Sequence, residues 1–171
     1  MEEKKKLEKY MFGVTSDDKD QSLAKLNPDI VGKKASWIAE QAGFKINEDT
    51  CIIAVECKSV GPQEPLTREK LSPVLAMLKA ESVDDGVNKA EAMVMFNGVG
   101  HSAAIHTSNE ALAKRFGERL KACRIIWNSP STFGGIGNVY NSFIPSLTLG
   151  CGSYGHNSVS DNVSAINLLN I

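Results

Sequence analysis

The chain has 171 residues, 42% of them apolar and 23% charged, enough for one hydrophobic core and no reason to look for a second domain. Nineteen Lys and Arg against twenty Asp and Glu leave a formal net charge of -1, so no long-range field would concentrate nucleic acid. No run approaches the roughly 18 to 20 apolar residues that cross a bilayer, and the polar N-terminus lacks an apolar signal region, which excludes a membrane partner and predicts a cytoplasmic protein.

In chain order, residues 2–12 are charged, with Leu7, Tyr10 and Met11 at helical spacing, and a polar stretch from Thr15 to Ser22 follows. This predicts a frayed helix and a linker, residues 1–24. Lys4, Lys5 and Lys6 come directly after Glu2 and Glu3 and read as a solvated helical face rather than a phosphate-binding patch. Asn27 and Pro28 supply a cap and a first-turn proline for a helix carrying Ile30, Val31, Ala35, Ile38 and Ala39, stopped at Gly43. The β-branched run Cys51–Val55 predicts a strand buried on both faces of a parallel sheet, and Pro73 opens a second strand through Leu78.

Ser82–Asp85 is a capping-box-like start to a helix over 83–96, ended at Gly98. His101–Thr107 has strand character, Thr107–Glu110 starts a helix with Leu112, Phe116 and Leu120 along one stripe, and Cys123–Trp127 is another short apolar run. Strand, helix, strand, helix, strand in that order predicts an α/β layer with right-handed crossovers. From Asn128 onward Ser, Gly and Asn dominate, and a loop-rich region is expected.

Few residues carry chemistry of their own accord. Glu69, just before the second strand, could accept two ribose hydroxyls as a dinucleotide site requires; taken alone, the spacing favours a solvated carboxylate paired with Arg68 or Lys70. His101 falls at a loop-to-strand junction from which it could reach a cleft, and His106 has the opposite parity, so the two rings do not share a metal. Gly134-Gly135-Ile136-Gly137 and Gly150-Cys151-Gly152-Ser153 match neither a dinucleotide fingerprint nor a P-loop, which leaves tight turns at positive φ. Cys51, Cys57, Cys123 and Cys151 show no C-x-x-C pairing and the three histidines no zinc spacing, so reduced thiols and no metal are expected. Cys51 and Cys123 read as small hydrophobes. Cys151, between glycines whose amides could serve as oxyanion donors, is the one internal candidate for a nucleophile.

Several long blocks together carry a resemblance: Asn27–Gly32, Glu64–Ala76, Gly98–Thr107, Trp127–Pro130, Gly134–Gly137 and Pro145–Ser153. They resemble, in order, the acylating domain of bifunctional aldehyde-alcohol dehydrogenases, within the aldehyde dehydrogenase superfamily, over about residues 25–171. The resemblance implies an α/β fold, part of an aldehyde dehydrogenase catalytic domain, three-layer α/β/α with a mostly parallel sheet. It also implies CoA-dependent interconversion of acetaldehyde and acetyl-CoA with NAD. In that family a cysteine attacks the aldehyde, hydride leaves to NAD and coenzyme A resolves the thioester.

The family cysteine lies upstream of the matched region in a short Ala-Ser-Glu-containing motif. Nothing here matches that motif, nor most of the NAD domain. By position, Glu69 resembles the carboxylate contacting the nicotinamide-side ribose, and His101 a histidine near the acylation site in a supporting catalytic role. Part of Ser146–Asn157 is expected to line the active-site mouth or a subunit interface. The expectation is therefore a piece of a longer enzyme, inactive alone, binding neither NAD nor coenzyme A tightly, and forming a homo-oligomer as the family does. The alternatives are a non-catalytic assembly module and a small Cys151-dependent transferase.

Overall fold

Leu7 and Met11 lie one helical turn apart, and both are completely buried on one face of helix α1 (Glu2–Phe12) together with Phe12. The protein is described here from a computed structural model covering residues 2–138 and 141–169; Val139, Tyr140, Asn170 and Ile171 of the 25–171 block lie outside the described residues. The chain divides into two compact units, Met1–Lys89 and Ala90–Ile171, where length alone suggested one core.

In the first unit α1 is a core element rather than a frayed appendage. Its apolar face packs with Ile30, Ile38, Leu66 and Val74 in one cluster. The lysine run on its other side is tied down: Lys4 is bonded to Glu64, Lys5 lies 2.5 Å from Asp17 and Lys6 3.0 Å from Glu2. The helix expected from Asn27 to Gly43 is broken in two. The Asn27 side chain caps a single 3-10 turn, Pro28–Ile30. Gly32 at φ +72° then leaves helical space, and the true helix α2 spans Ala35–Gln41; a left-handed glycine ends a helix.

Strands β1 (Ile53–Glu56) and β2 (Val74–Met77) pair in parallel, Ile53 opposite Val74 and Glu56 opposite Met77. They are covered on one face only. Val74 is buried, whereas Leu75 and Met77 stay about half exposed, and Ile52 and Cys51 before β1 are exposed too. Burial on both faces of this strand, and of Cys51, is therefore not what forms; side chains alternate between a packed and an open side with the two-residue period of a strand.

Helix α3 (Val83–Asn97) begins where the Ser82 hydroxyl accepts from the Asp85 amide. In the second unit, β3 (Gly100–Ile105) and β4 (Ala122–Trp127) form another parallel pair, Ser102 opposite Arg124. Between them runs α4 (Glu110–Arg119), with the Asn109 side chain accepting from the Leu112 amide as its cap. Both sheets are thus parallel strand pairs joined through intervening chain, the connection that α/β topology requires.

The glycine-rich region holds one more helix, α5 (Ser131–Ile136). Gly137 (φ +79°) and Gly152 (φ +57°) are turns at positive φ as expected, but Gly134 sits inside α5, where a Cβ would overlap the Ile126 side chain. Close packing rather than turn geometry accounts for that glycine. Among the described residues no helix is long and apolar enough to cross a membrane.

Candidate functional site

Glu69 lies in the first unit, exposed, in an irregular segment before the amino end of β2. Open α/β sheets bind ligands beyond the carboxyl ends of their strands, so strand position by itself does not favour this residue. Its neighbour Lys70 donates to the Leu66 and Arg68 carbonyls at 2.6 and 3.0 Å. Burial pulls the Lys70 pKa below the usual lysine range, against the opposing charges of Cys57 and Glu69. Leu71, next in line, is held at φ +48°, a costly conformation for a branched side chain.

The carboxyl end of β1 opens instead into a cleft of about 690 Å³ lined by Lys4, Lys5, Lys58, Ser59, Gln63 and Glu64, among others. Its floor is ionic: Lys4 bridges Glu64 and Glu8, and Glu64 also accepts from the Lys58 amide at 3.0 Å. Burial tends to lower the Lys4 pKa, but the Glu64 hydrogen bond and the surrounding negative charges leave it raised. Beside this pair the Cys57 thiol is buried, and burial together with the Glu64 charge pushes it up to about 11, which makes it inert as a nucleophile near neutrality.

His101 lies in the second unit at the start of β3, exposed, with Nδ1 3.0 Å from the Ser102 hydroxyl. Gly100 directly before it adopts φ +90°, and a Cβ there would overlap the Cys151 carbonyl oxygen. The turn Cys151–Gly155 is therefore pressed against the strand end that carries His101. Of the residues singled out by sequence, His101 and the Gly150–Gly152 turn come together; Glu69 belongs to the other unit.

Cys151 is half-buried and lacks the surroundings of an activated thiolate. Its own amide donates to Asn157 Oδ1 at 3.0 Å, and the Gly152 amide to the Val159 carbonyl at 2.9 Å, so both amides flanking it are already spent and form no oxyanion hole. Its sulfur has only a 3.9 Å approach to the Leu149 carbonyl. Among the described residues no group of three His, Cys, Asp or Glu is placed to hold a metal ion.

One residue of this site escaped the sequence. Arg124, in the apolar run of β4, is 2% exposed. Its guanidinium donates to the Ser102 hydroxyl (3.1 Å) and to the carbonyls of His101 (3.0 Å), Gly150 (2.5 Å) and Ser160 (3.1 Å). A cation in the middle of Cys-Arg-Ile-Ile-Trp, where burial needs complete hydrogen bonding, was the available signal. Beside it a small cavity of about 170 Å³ is lined by Cys123, Phe143, Ser160 and Asp161 with Arg124.

No protein-family model matches the chain. It is 69% identical over 169 residues to the aldehyde-alcohol dehydrogenase of Streptococcus pneumoniae, covering 99% of this chain and 19% of that protein. It is 61% identical over 170 residues to aldehyde-alcohol dehydrogenase 2 of Entamoeba histolytica, covering 99% of this chain and 20% of the relative. Among solved structures, an acetylating aldehyde dehydrogenase from Geobacillus thermoglucosidasius superposes with a TM-score of 0.85 at 37% identity, over 99% of this chain and 35% of that one. The chain thus spans about a fifth of the length of the curated relatives it matches. It belongs to the family of acetylating aldehyde dehydrogenases that includes the bifunctional aldehyde-alcohol dehydrogenases, and corresponds to a portion of their aldehyde dehydrogenase domain.

Proposed function

We propose that this chain serves, within a bifunctional aldehyde-alcohol dehydrogenase, the half-reaction that interconverts acetaldehyde and acetyl-CoA with NAD, and that it does not turn over alone. The observation carrying this reading is the 69% identity over 99% of the chain to a protein of that name. Two of its four thiols support the inactivity of the isolated chain. Cys57 is buried with a raised pKa, and Cys151 has its neighbouring amides engaged; without an activated sulfur no thiohemiacetal forms and binding groups alone do not speed the chemical step.

Within that reaction Glu69 accepts hydrogen bonds from the nicotinamide-side ribose; an exposed carboxylate is the acceptor a vicinal diol needs. NAD, when bound, supplies the hydride acceptor. His101 has a supporting role at the acylation site, where an exposed ring beside the Cys151–Gly155 turn can donate to the substrate oxygen.

Replacing the matching span of the Streptococcus pneumoniae enzyme with this chain tests the reading. CoA-dependent NAD reduction by acetaldehyde is expected to persist in the chimera, to fall at least about tenfold in Glu69→Gln and His101→Gln variants, and to be absent from the 171-residue chain. A chimera that folds but has lost the activity contradicts it.

A second reading, an assembly module, draws on the apolar side chains of Ile52, Leu75 and Met77, all about half exposed on or beside one sheet. Such a surface seeks a partner. Solution mass across a concentration series tests it: self-association supports it, and a strict monomer contradicts it.

A further inference from the structure

The guanidinium of Arg124 reaches His101 twice, once directly at its backbone carbonyl and once by way of the Ser102 hydroxyl at its ring. Nη2 donates to the His101 carbonyl at 3.0 Å, and Nε donates to the Ser102 hydroxyl at 3.1 Å, itself 3.0 Å from His101 Nδ1. We propose that Arg124 is the positioning residue for His101, and that it acts through Ser102 to hold the imidazole in the neutral tautomer protonated on Nε2. The functional consequence rests on the reading of His101 given above; the tautomer itself does not.

The direction of the chain Arg124, Ser102, His101 follows from what each group can do. A guanidinium has only donors, so the serine oxygen is the acceptor in the first bond. Its hydroxyl hydrogen can then be donated to His101 Nδ1, 3.0 Å away. If Nδ1 carried the proton instead, both donors would share the two lone pairs of one oxygen and the hydroxyl hydrogen would turn to solvent, which forfeits the polarised relay from the guanidinium to the ring. The favoured arrangement leaves Nε2–H as the ring's only donor, turned away from Ser102. A donor of that kind, neutral and fixed before substrate arrives, suits an oxygen that gains negative charge as a carbonyl is attacked.

A plain stapling role accounts for all the bonds of Arg124, since a buried guanidinium needs acceptors, but it predicts nothing about which nitrogen of the His101 ring carries the proton. Ser102→Ala leaves the three carbonyl bonds of Arg124 in place and removes the acceptor of Nε together with the link to the ring, so the readout that separates the two is the tautomer of His101, which a plain stapling role does not move.

The test is nitrogen-15 spectroscopy of the histidine side chains in the full 171-residue chain, above the imidazole titration range, with His101 assigned by its loss in His101→Gln. The expected wild-type pattern is a single tautomer with Nδ1 as hydrogen-bond acceptor. In Ser102→Ala the ring shifts toward the average of two exchanging tautomers, and Ser102→Thr restores the wild-type pattern. A wild-type ring protonated on Nδ1, or a Ser102→Ala spectrum identical to wild type, overturns the proposal. Where the chain's spectrum is too poorly dispersed to read, the same variants are compared in the chimera. There Ser102→Ala is expected to lower kcat about tenfold with the aldehyde KM held and Ser102→Thr to recover it; equal kcat values overturn the proposal. A chimera unaffected by His101→Gln would instead sink the role assigned to His101 while the tautomer result stood, so the two failures are told apart.

Discussion

Arg124 Nη2 lies 2.5 Å from the carbonyl oxygen of Gly150, so a cation on β4 closes the turn that carries Cys151. Arg124→Met keeps an unbranched apolar stem and discards all the donors, leaving three carbonyls and one hydroxyl to find other partners. The second unit is expected to lose about 3 kcal/mol or more, read as a lowered urea midpoint for the transition reporting on residues 90–171. A midpoint equal to wild type would mean that water re-pairs these oxygens at no cost.

Gly134 in α5 is pressed onto Ile126, which is itself buried in β4. Gly134→Ala is expected to destabilise by about 1–3 kcal/mol, the usual cost of overpacking. Combining it with Ile126→Ala should be distinctly less harmful than the sum of the two single changes, because alanine removes the γ carbons that the new Cβ would overlap. Strict additivity in denaturant titrations would show that the helix and strand shift apart freely.

Cys57 carries a pH dependence whose sign is fixed by its environment. Burial, with the Glu64 charge beside it, pushes its thiol up from 9.0 to about 11 in the folded chain. The folded state therefore holds its proton more tightly, its contribution is fully present below about pH 9, and it is lost as pH rises toward 11. Lysines titrate in the same range, so the measurement is the difference between wild type and Cys57→Ala, which should shrink over that interval. At neutral pH, alkylation of Cys57 should lag far behind that of exposed Cys51.

Lys4 neutralises two carboxylates, Glu64 and Glu8, that are almost wholly shielded from solvent. Lys4→Met strands both charges and is expected to cost about 3 kcal/mol, part of which should return in Lys4→Met/Glu64→Gln. Thermal unfolding of wild type, Lys4→Met and Lys4→Met/Glu64→Gln checks this. Equal loss in the single and double variants would indicate that Glu64 does not depend on Lys4.

The elements most legible in the sequence were those written in local chemistry. Pro73 at the head of β2, Ser82 before α3 and the Asn109 cap of α4 each do what their side chains prescribe. The failures share a different cause. Gly32 looked like part of an amphipathic run, yet its φ of +72° splits the helix, and a positive φ leaves no trace in hydrophobic spacing. The helix α5 was hidden because Thr-Phe-Gly-Gly is poor in helix formers, and its Gly134 answers to Ile126 across the packing interface rather than to its own turn. Cys51 seemed to belong to an apolar strand, but β1 begins only at Ile53 and is packed on one side. For the site, the junction position of His101 was legible, whereas Arg124 was not, because its four acceptors come from segments up to 36 residues away in sequence.

The account depends most on the sulfur that forms the covalent intermediate not being one of Cys51, Cys57, Cys123 or Cys151. The direct measurement is intact-mass analysis of the purified 171-residue chain after incubation with acetyl-CoA, followed by peptide mapping of all four cysteines. The account predicts an unmodified chain. A stoichiometric acetyl adduct on one sulfur, lost in the matching alanine variant, would contradict it.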